Sequence, residues 1–423
     1  MRFALACSGT RGDCEPLVAI GLELQQRGHD VWIALPPNLT GFAESVGLAS
    51  TSYGPDASEM WDAELLEKCS PEIWRGLLRG RSPVKVLRQL WDPVLQHWAG
   101  MGKTLASVAD GADVLCAGLV FQDVAANVAE HYDIPLAALH YFPVRPNGRL
   151  VGMLPAGMAC AAMKTYDWFG WHMHREVEEE QRRELGLPKA TKPAAGRIAD
   201  RKALEIQTYD QVCFPGLAAE WSTWREHRPF VGALTMHQPT DADEEVVSWI
   251  AAGSPPICFG FGSMPVPSPA GTVEMIGQAC AELGQRALIC SGWTDYGDVP
   301  TNDHVKVVRA VNYEKVFPLC RAVVHHGGSG TTAAGLRAGV PGLILWTAGD
   351  QPFWGRQLER LNVGATRSFK SSSKATLVAD LRRILAPERA AAARRLAAQM
   401  TPSAVSVNRA VDLLEEFGYR RAG

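Results

Sequence analysis

Residues 2 to 35 read RFALACSGTRGDCEPLVAIGLELQQRGHDVWIAL, and no other stretch narrows the fold so far. RFALA and VWIAL are short, nearly unbroken apolar runs, as expected of strands covered on both faces. Between them, CEPLVAIGLELQQRG has helical spacing, with Pro16 in the first turn and Gly28 at its end. A strand, a helix and a second strand close as a right-handed βαβ unit of a parallel sheet. The fold class is therefore α/β.

The pattern recurs. ADVLCAGLV, a helix over about 122–131, and PLAALHYF continue the first series. Residues 164–205 are rich in charge and helix formers, and EHRPFVGALTM, punctuated by Pro229 and Gly232, leads out of the first half. A second series follows: PPICFGFGSM as strand and turn, TVEMIGQACAELGQ as helix, and RALIC and VKVVRAV as strands. RAVVHH is another strand, TTAAGLRAG a helix closed by Gly339, and PGLILW a strand. Two doubly wound sheets in series are expected. The tail SAVSVNRAVDLLEEFGYRR reads as one amphipathic helix. A length of 423 residues agrees with two domains.

Composition removes several functions. The net charge of −3 gives no bias toward nucleic acid. The ten cysteines, among them Cys69, are scattered without a Cys-x-x-Cys pair, which suits buried reduced thiols in a cytoplasmic protein rather than a disulfide frame or zinc site. The N-terminus has too few apolar residues for a signal peptide. The longest uncharged run, LVGMLPAGMACAAM (150–163), contains Pro155 and is too short to span a bilayer, which leaves a peripheral membrane contact open.

Chemistry concentrates where strands meet turns. RAVVHHGGSGTT places an apolar strand, a glycine turn and a helix start in succession. Glycines let a ligand approach the main chain. The first helical N–H groups, near Thr331 and Thr332, have no intrahelical acceptor and with the helix dipole suit a phosphate. His326 and the threonine hydroxyls can add donors. The plainer reading is a βα turn with capping threonines, but two histidines beside Gly-Gly-x-Gly favour a ligand. Neither familiar phosphate motif fits: GKT at 102–104 follows His97 where a P-loop needs glycine, and the first loop, CSGTRGDCEP, is no Gly-x-Gly-x-x-Gly.

TAGDQPFWGRQ (347–357) presents Asp350 and Gln351 after another strand, where open α/β sheets bind ligands. A carboxylate beside an amide suits adjacent sugar hydroxyls, and a polar loop explains the pair equally well. In the first loop, Asp13 stands before a helix start, as an N-cap or a general base. Thr10, Arg11 and Gly12 can touch a diphosphate from the opposite side. One such loop in each half, facing a shared cleft, suits a reaction between two substrates.

In order and spacing, GTRGDCEPLVAIGLELQQRGHDV, FGSMP, VNYEKVFP, VVHHGGSGTTAAGLRAGVP and GDQPFW resemble the nucleotide-sugar glycosyltransferases of GT-B fold, glycosyltransferase family 1, bacterial branch. That group glycosylates glycopeptide antibiotics, mycobacterial glycolipids and sterols. The likeness covers nearly the whole chain. It implies an acceptor-binding Rossmann-like domain over 1–228, a donor-binding one over 229–405 across a cleft, and a helix at 406–423 returning to the first domain.

The resemblance also implies roles. His326 with Gly328, Ser329, Gly330 and Thr331 would grip the diphosphate of a UDP- or dTDP-sugar co-substrate, and Ser263 would add a hydroxyl. Val311 and Asn312 would line the base through backbone atoms, and Asp350 and Gln351 would hold the sugar. Asp13 would take the proton of an acceptor hydroxyl, the anomeric centre inverting without metal or other cofactor. Plant relatives use a histidine base in the first loop, absent here, and a ribose-binding glutamate where this chain has Ala334.

On the acceptor side, residues 138–174 are aromatic and apolar, with His140, Trp168 and Trp171 as candidate contacts to a hydrophobic, hydroxyl-bearing acceptor; core packing explains any one of them as well. His172 and His174 lack metal-ligand partners at useful spacing and read as surface or acceptor-lining residues. Two other functions compete. An epimerase of similar shape needs further acid/base residues around the sugar, which the sequence does not place. A non-enzymatic sugar-nucleotide-binding partner would not need Asp13, His326 and the Asp350–Gln351 pair intact.

Overall fold

The computed structural model describes residues 1–57, 95–152, 154–264, 266, 268–294 and 304–422. Cys69 lies outside the described residues, as do Met153 and Pro265 of the motifs quoted above; the other nine cysteines are free thiols. The chain divides into two compact units, Met1–Leu234 with Ser403–Gly423, and Thr235–Pro402.

The first unit contains β1 (Arg2–Ala6), β2 (Asp30–Leu35), β3 (Ser50–Ser52), β4 (Val114–Ala117), β5 (Leu136–His140) and β6 (Leu204–Gln207), in the order β3-β2-β1-β4-β5-β6. The second contains β7 (Ile257–Gly260), β8 (Ala287–Cys290), β9 (Val305–Val308), β10 (Ala322–His325), β11 (Gly342–Trp346) and β12 (Gly364–Ser368), in the order β12-β11-β10-β7-β8-β9. The strand pairs within both sheets are parallel. Each sheet is thus the doubly wound Rossmann arrangement that the apolar runs imply.

Each sheet is built from its middle strand outward, first to one side and then to the other. The reversal falls between β1 and β4 in the first unit, and between β7 and β10 in the second. Beyond the carboxyl ends of such strands the flanking loops diverge and leave room for a ligand. Both candidate loops, 7–13 and 326–331, follow strands at these reversals.

Apolar side chains on both faces hold each sheet. Leu115, Ala117, Val124, Val128 and Leu105 pack on one face of the first, and Phe259, Ile289, Val324, Leu343 and Leu381 on one face of the second. Three strands were not marked by the hydrophobic pattern: β3, β6 and β12. In β6, LEIQ, the polar residues Glu205 and Gln207 break the apolar run, yet both are buried. Arg145 Nε and Arg228 Nε each donate to a different carboxylate oxygen of Glu205, at 2.6 and 2.5 Å.

The helix Ser403–Ala422 belongs to the first unit, where Arg27 reaches Asp412 at 2.6 Å and Glu415 at 2.8 Å. In the second unit, Arg337 donates to the Thr401 carbonyl at 2.8 Å and to the Thr235 hydroxyl at 2.9 Å, close to both ends of that unit. Among the described residues no helix is long and apolar enough to cross a membrane.

Candidate active site

In the first reversal loop, β1 gives way to buried Cys7 and Ser8, then to Gly9 at φ +123°, a conformation L side chains rarely adopt. The following helix, Arg11–Gln26, starts earlier than its apolar spacing suggests, with Thr10 as N-cap. Asp13 is therefore the third helical residue, which corrects its expected place before the helix. Its Oδ2 accepts from the Thr10 N–H at 2.7 Å and from the Thr10 hydroxyl at 2.9 Å, a capping-box contact.

Burial pushes the Asp13 carboxyl above its usual range, and the Thr10 hydrogen bonds pull part of the way back. A carboxylate raised in this way is a stronger base than one in water. Thr10 directs both its donors to Asp13 rather than outward. Arg11 stacks 4.6 Å from the Phe42 ring and lies 3.6 Å from Glu15. The exposed Gly12 holds one of the first-turn amides that a helix leaves without an acceptor.

In the second reversal loop, β10 ends at buried His325, whose Nδ1 accepts from the Gly327 N–H at 3.1 Å. Burial drops His325 to about 3. The helix Ser329–Arg337 starts two residues earlier than expected, with Gly328 as N-cap. This moves the free amides: Thr332 N–H is already bonded to the Gly328 carbonyl at 2.9 Å. The amides without intrahelical acceptors belong instead to Gly328, Ser329, Gly330 and Thr331.

Beside them lies His326. Its ring is wedged between two glycines: a Cβ on Gly262 would come within 3.0 Å of Cε1, and one on Gly328 within 2.6 Å of Nε2. Burial lowers His326 to about 4, against a smaller upward pull from the Gly260 backbone, so the ring is neutral near pH 7. Its Nδ1 is buried and has no hydrogen-bond partner among the described residues. Nε2 is the ring nitrogen on the side of the Gly328 turn, and the first amides of that turn lack an acceptor that an anion would supply.

The remaining candidates of this unit surround that turn unequally. Ser263 sits in the turn after β7, partly exposed. Val311 packs in the core. Asn312 caps the short helix Tyr313–Val316, its Oδ1 accepting from Glu314 N–H at 3.0 Å and Lys315 N–H at 3.3 Å, and its own N–H goes to Asp243 at 2.8 Å. Asp350 is the N-cap residue of the helix Gln351–Arg360. Gln351 is buried and turned back on its loop: its Oε1 accepts from Thr347 N–H at 2.9 Å and Ala348 N–H at 3.3 Å, and its Nε2 reaches Met264 Sδ at 3.2 Å.

The acceptor candidates separate. His140 is 0% exposed, between Gln122 at 3.4 Å and Gln207 at 3.2 Å. Its expected acceptor contact is ruled out because it belongs to the polar network around Glu205. Trp171 is likewise buried, its indole donating to Glu178 at 2.7 Å, which removes it from an acceptor surface. Trp168 stands 53% exposed on the helix Ala156–Glu184, which also exposes Met158 and Tyr166. His174, read as surface or acceptor-lining, is instead buried against Trp98 and 3.3 Å from Asp123.

Sequence reasoning missed the residues that shape these loops: Gly9, Gly262, Met264 and Tyr141. Only Gly9 and Gly262, standing just after strands, carried a signal that could have found them. Among the described residues no group of three His, Cys, Asp or Glu side chains is placed to hold a metal ion.

Two families match. The glycosyltransferase family 28 N-terminal domain covers residues 3–147, and the erythromycin biosynthesis protein CIII-like C-terminal domain covers residues 288–415. An uncharacterized glycosyltransferase of Mycobacterium tuberculosis is 55% identical over 423 residues, covering 99% of this chain and 100% of its own length. A sterol 3-beta-glucosyltransferase of Arabidopsis thaliana is 28% identical over 92% of this chain and 63% of its own. The solved structure of the glycotransferase of kitacinnamycin superposes with a TM-score of 0.70 at 18% identity, over 98% of each chain. That of the glycosyltransferase VinC with dTDP superposes with 0.62 at 18% identity, over 99% of this chain and 100% of that one.

Proposed function

The chain belongs to the GT-B glycosyltransferases, and from that premise we propose that it transfers a hexose or deoxyhexose from a UDP- or dTDP-sugar to a hydroxyl of a hydrophobic acceptor, inverting the anomeric centre without a metal. The observation that carries this reading is the His326 ring, its Nε2 against Gly328, beside the first-turn amides of 328–331 that no intrahelical acceptor takes. A nucleoside diphosphate offers those donors the oxygens they lack, and its charge grows as it leaves.

Asp13 is the general base of this scheme. Its carboxylate takes the acceptor proton while the alcohol oxygen attacks the anomeric carbon, and the sugar–phosphate bond breaks with its electron pair going to the diphosphate. Neutral His326 and the helix N-terminus then stabilise the leaving group. Ser263 and Asp350 complete the donor contacts of this unit, with Gln351 shaping the loop around them. The exposed apolar side chains Leu154, Met158, Tyr166 and Trp168 support a lipid-like or polycyclic acceptor, as does the sterol substrate in the name of the Arabidopsis relative.

The test is release of UDP or dTDP from a panel of nucleotide sugars when hydrophobic alcohols are supplied. A matching donor raises the melting temperature by mass action. Asp13→Asn should nearly abolish transfer and leave that thermal shift in place; turnover at the wild-type rate would overturn the assignment of the base.

A further inference from the structure

We propose that Thr10 and Tyr141 are positioning residues that clamp Asp13 at its two ends, Thr10 at the carboxylate and Tyr141 at the main chain. This rests on the reading of Asp13 as the base. Tyr141, one residue beyond β5 and 4% exposed, donates its hydroxyl to the Asp13 carbonyl at 2.6 Å. Cys7, one residue beyond β1, donates its thiol to the same carbonyl at 3.2 Å. Both donors therefore stand at carboxyl ends of the sheet and fix the first turn of the helix to it. β4 makes room for them. Gly118 follows it, and a Cβ there would lie 2.7 Å from Cys7 Sγ and 3.1 Å from the Tyr141 oxygen.

At the other end, both Thr10 donors fall on Oδ2. Oδ1 takes neither of these donors and is the oxygen that the base assignment gives to the alcohol. The side chain is thereby held against rotation, and the peptide that carries it against translation. Proton transfer from a bound alcohol requires hydrogen-bond distance, so both freedoms matter to the rate and neither matters to donor binding. Burial pushes the Cys14 thiol and the Tyr141 phenol upward, and Arg11 and Glu15 pair with each other on the same turn.

The experiment compares Tyr141→Phe, Thr10→Val and Asp13→Asn with the two double variants that include Asp13→Asn. Tyr141→Phe should fold and show the wild-type thermal shift with UDP or dTDP. It should lose roughly tenfold to hundredfold in kcat at unchanged donor KM, the scale of a misplacement near 1 Å. Thr10→Val should lower kcat and move the acid limb of the rate profile to higher pH, because a hydrogen bond to the charged carboxylate is gone. Neither change should cost anything further on top of Asp13→Asn, as groups acting through one base are non-additive. A dead Asp13→Asn beside a fully active Tyr141→Phe overturns the clamp alone. So does a Tyr141→Phe loss that persists undiminished in the Asp13→Asn background. Full turnover by Asp13→Asn overturns the base assignment and the clamp with it.

Discussion

Gly9 leaves the space that Asp13 occupies: a Cβ built on Gly9 would lie 2.5 Å from Asp13 Oδ2 and 2.8 Å from its Cγ. A methyl group at this position cannot coexist with the carboxylate in its present rotamer. Gly9 also has φ +123°, so a side chain is strained whatever the space. Gly9→Ala should therefore displace Asp13, lowering kcat by about 10²-fold while donor binding survives. Steady-state kinetics and nucleotide thermal shift on the same preparation check this, since the second reads the other unit of the chain.

Three histidines carry a second prediction. Burial holds His140 and His325 near 3 and His326 near 4, all below the ordinary histidine range. Between the ordinary value and these depressed ones, the unfolded chain binds protons that the folded chain refuses. Their contribution to stability is therefore present above the ordinary value and is lost as pH falls toward the depressed ones, at about 1.4 kcal/mol per pH unit for each proton. Asp167, raised to about 6, works in the opposite direction over the same window. His140→Gln isolates one contribution: chemical denaturation at pH 6.5 and pH 4.5 should show a shallower loss than in the wild type.

How far these features were legible depends on which force fixes them. Strands covered on both faces must be apolar, so β1, β2, β7, β10 and β11 stand out as runs, and the switch points follow from their order. β6 did not stand out because Glu205 and Gln207 interrupt its apolar run, and the two arginines that pair with buried Glu205 lie 60 and 23 residues away, which no local pattern shows. The motif loops were visible, but not which atoms they leave free. Asn312 and Gln351 carry amides that suit a ligand, yet capping and loop closure claim their oxygens. Trp168 and Trp171 differ by three positions, and only tertiary packing makes one exposed and the other buried.

That difference is testable. Trp171→Ala removes a buried indole and leaves Glu178, itself 0% exposed, without one of its donors; Arg197 still reaches it at 2.6 Å. A cost of about 3–5 kcal/mol is expected, read as a lower denaturation midpoint. Trp168→Ala should leave that midpoint within about 0.5 kcal/mol of the wild type, as befits an exposed site. If the helix face meets the acceptor, it should raise acceptor KM without altering donor KM.

Gln351 poses the sharpest choice between supporting a ligand and touching it. Its Oε1 receives the N–H groups of Thr347 and Ala348, and its Nε2 meets Met264 Sδ in the turn after β7. It is also packed against the glycine turn, where a Cβ on Gly327 would come within 3.1 Å of the Gln351 Cβ. Gln351→Leu keeps the bulk but strands two backbone donors, at about 1–3 kcal/mol each when buried. It should lower the melting temperature and loosen donor binding together. Gln351→Glu keeps an acceptor oxygen for both N–H groups at the first position of a helix, where a negative charge is favoured, and replaces only the NH₂ group. If Gln351 acts by holding the 347–350 loop, the glutamate variant keeps the melting temperature and most of the donor affinity. If its NH₂ grips the sugar, the glutamate variant loses donor affinity as far as the leucine one does. Isothermal titration of both variants with the same nucleotide sugar separates the two, and the hydrogen bonds in place predict the first result.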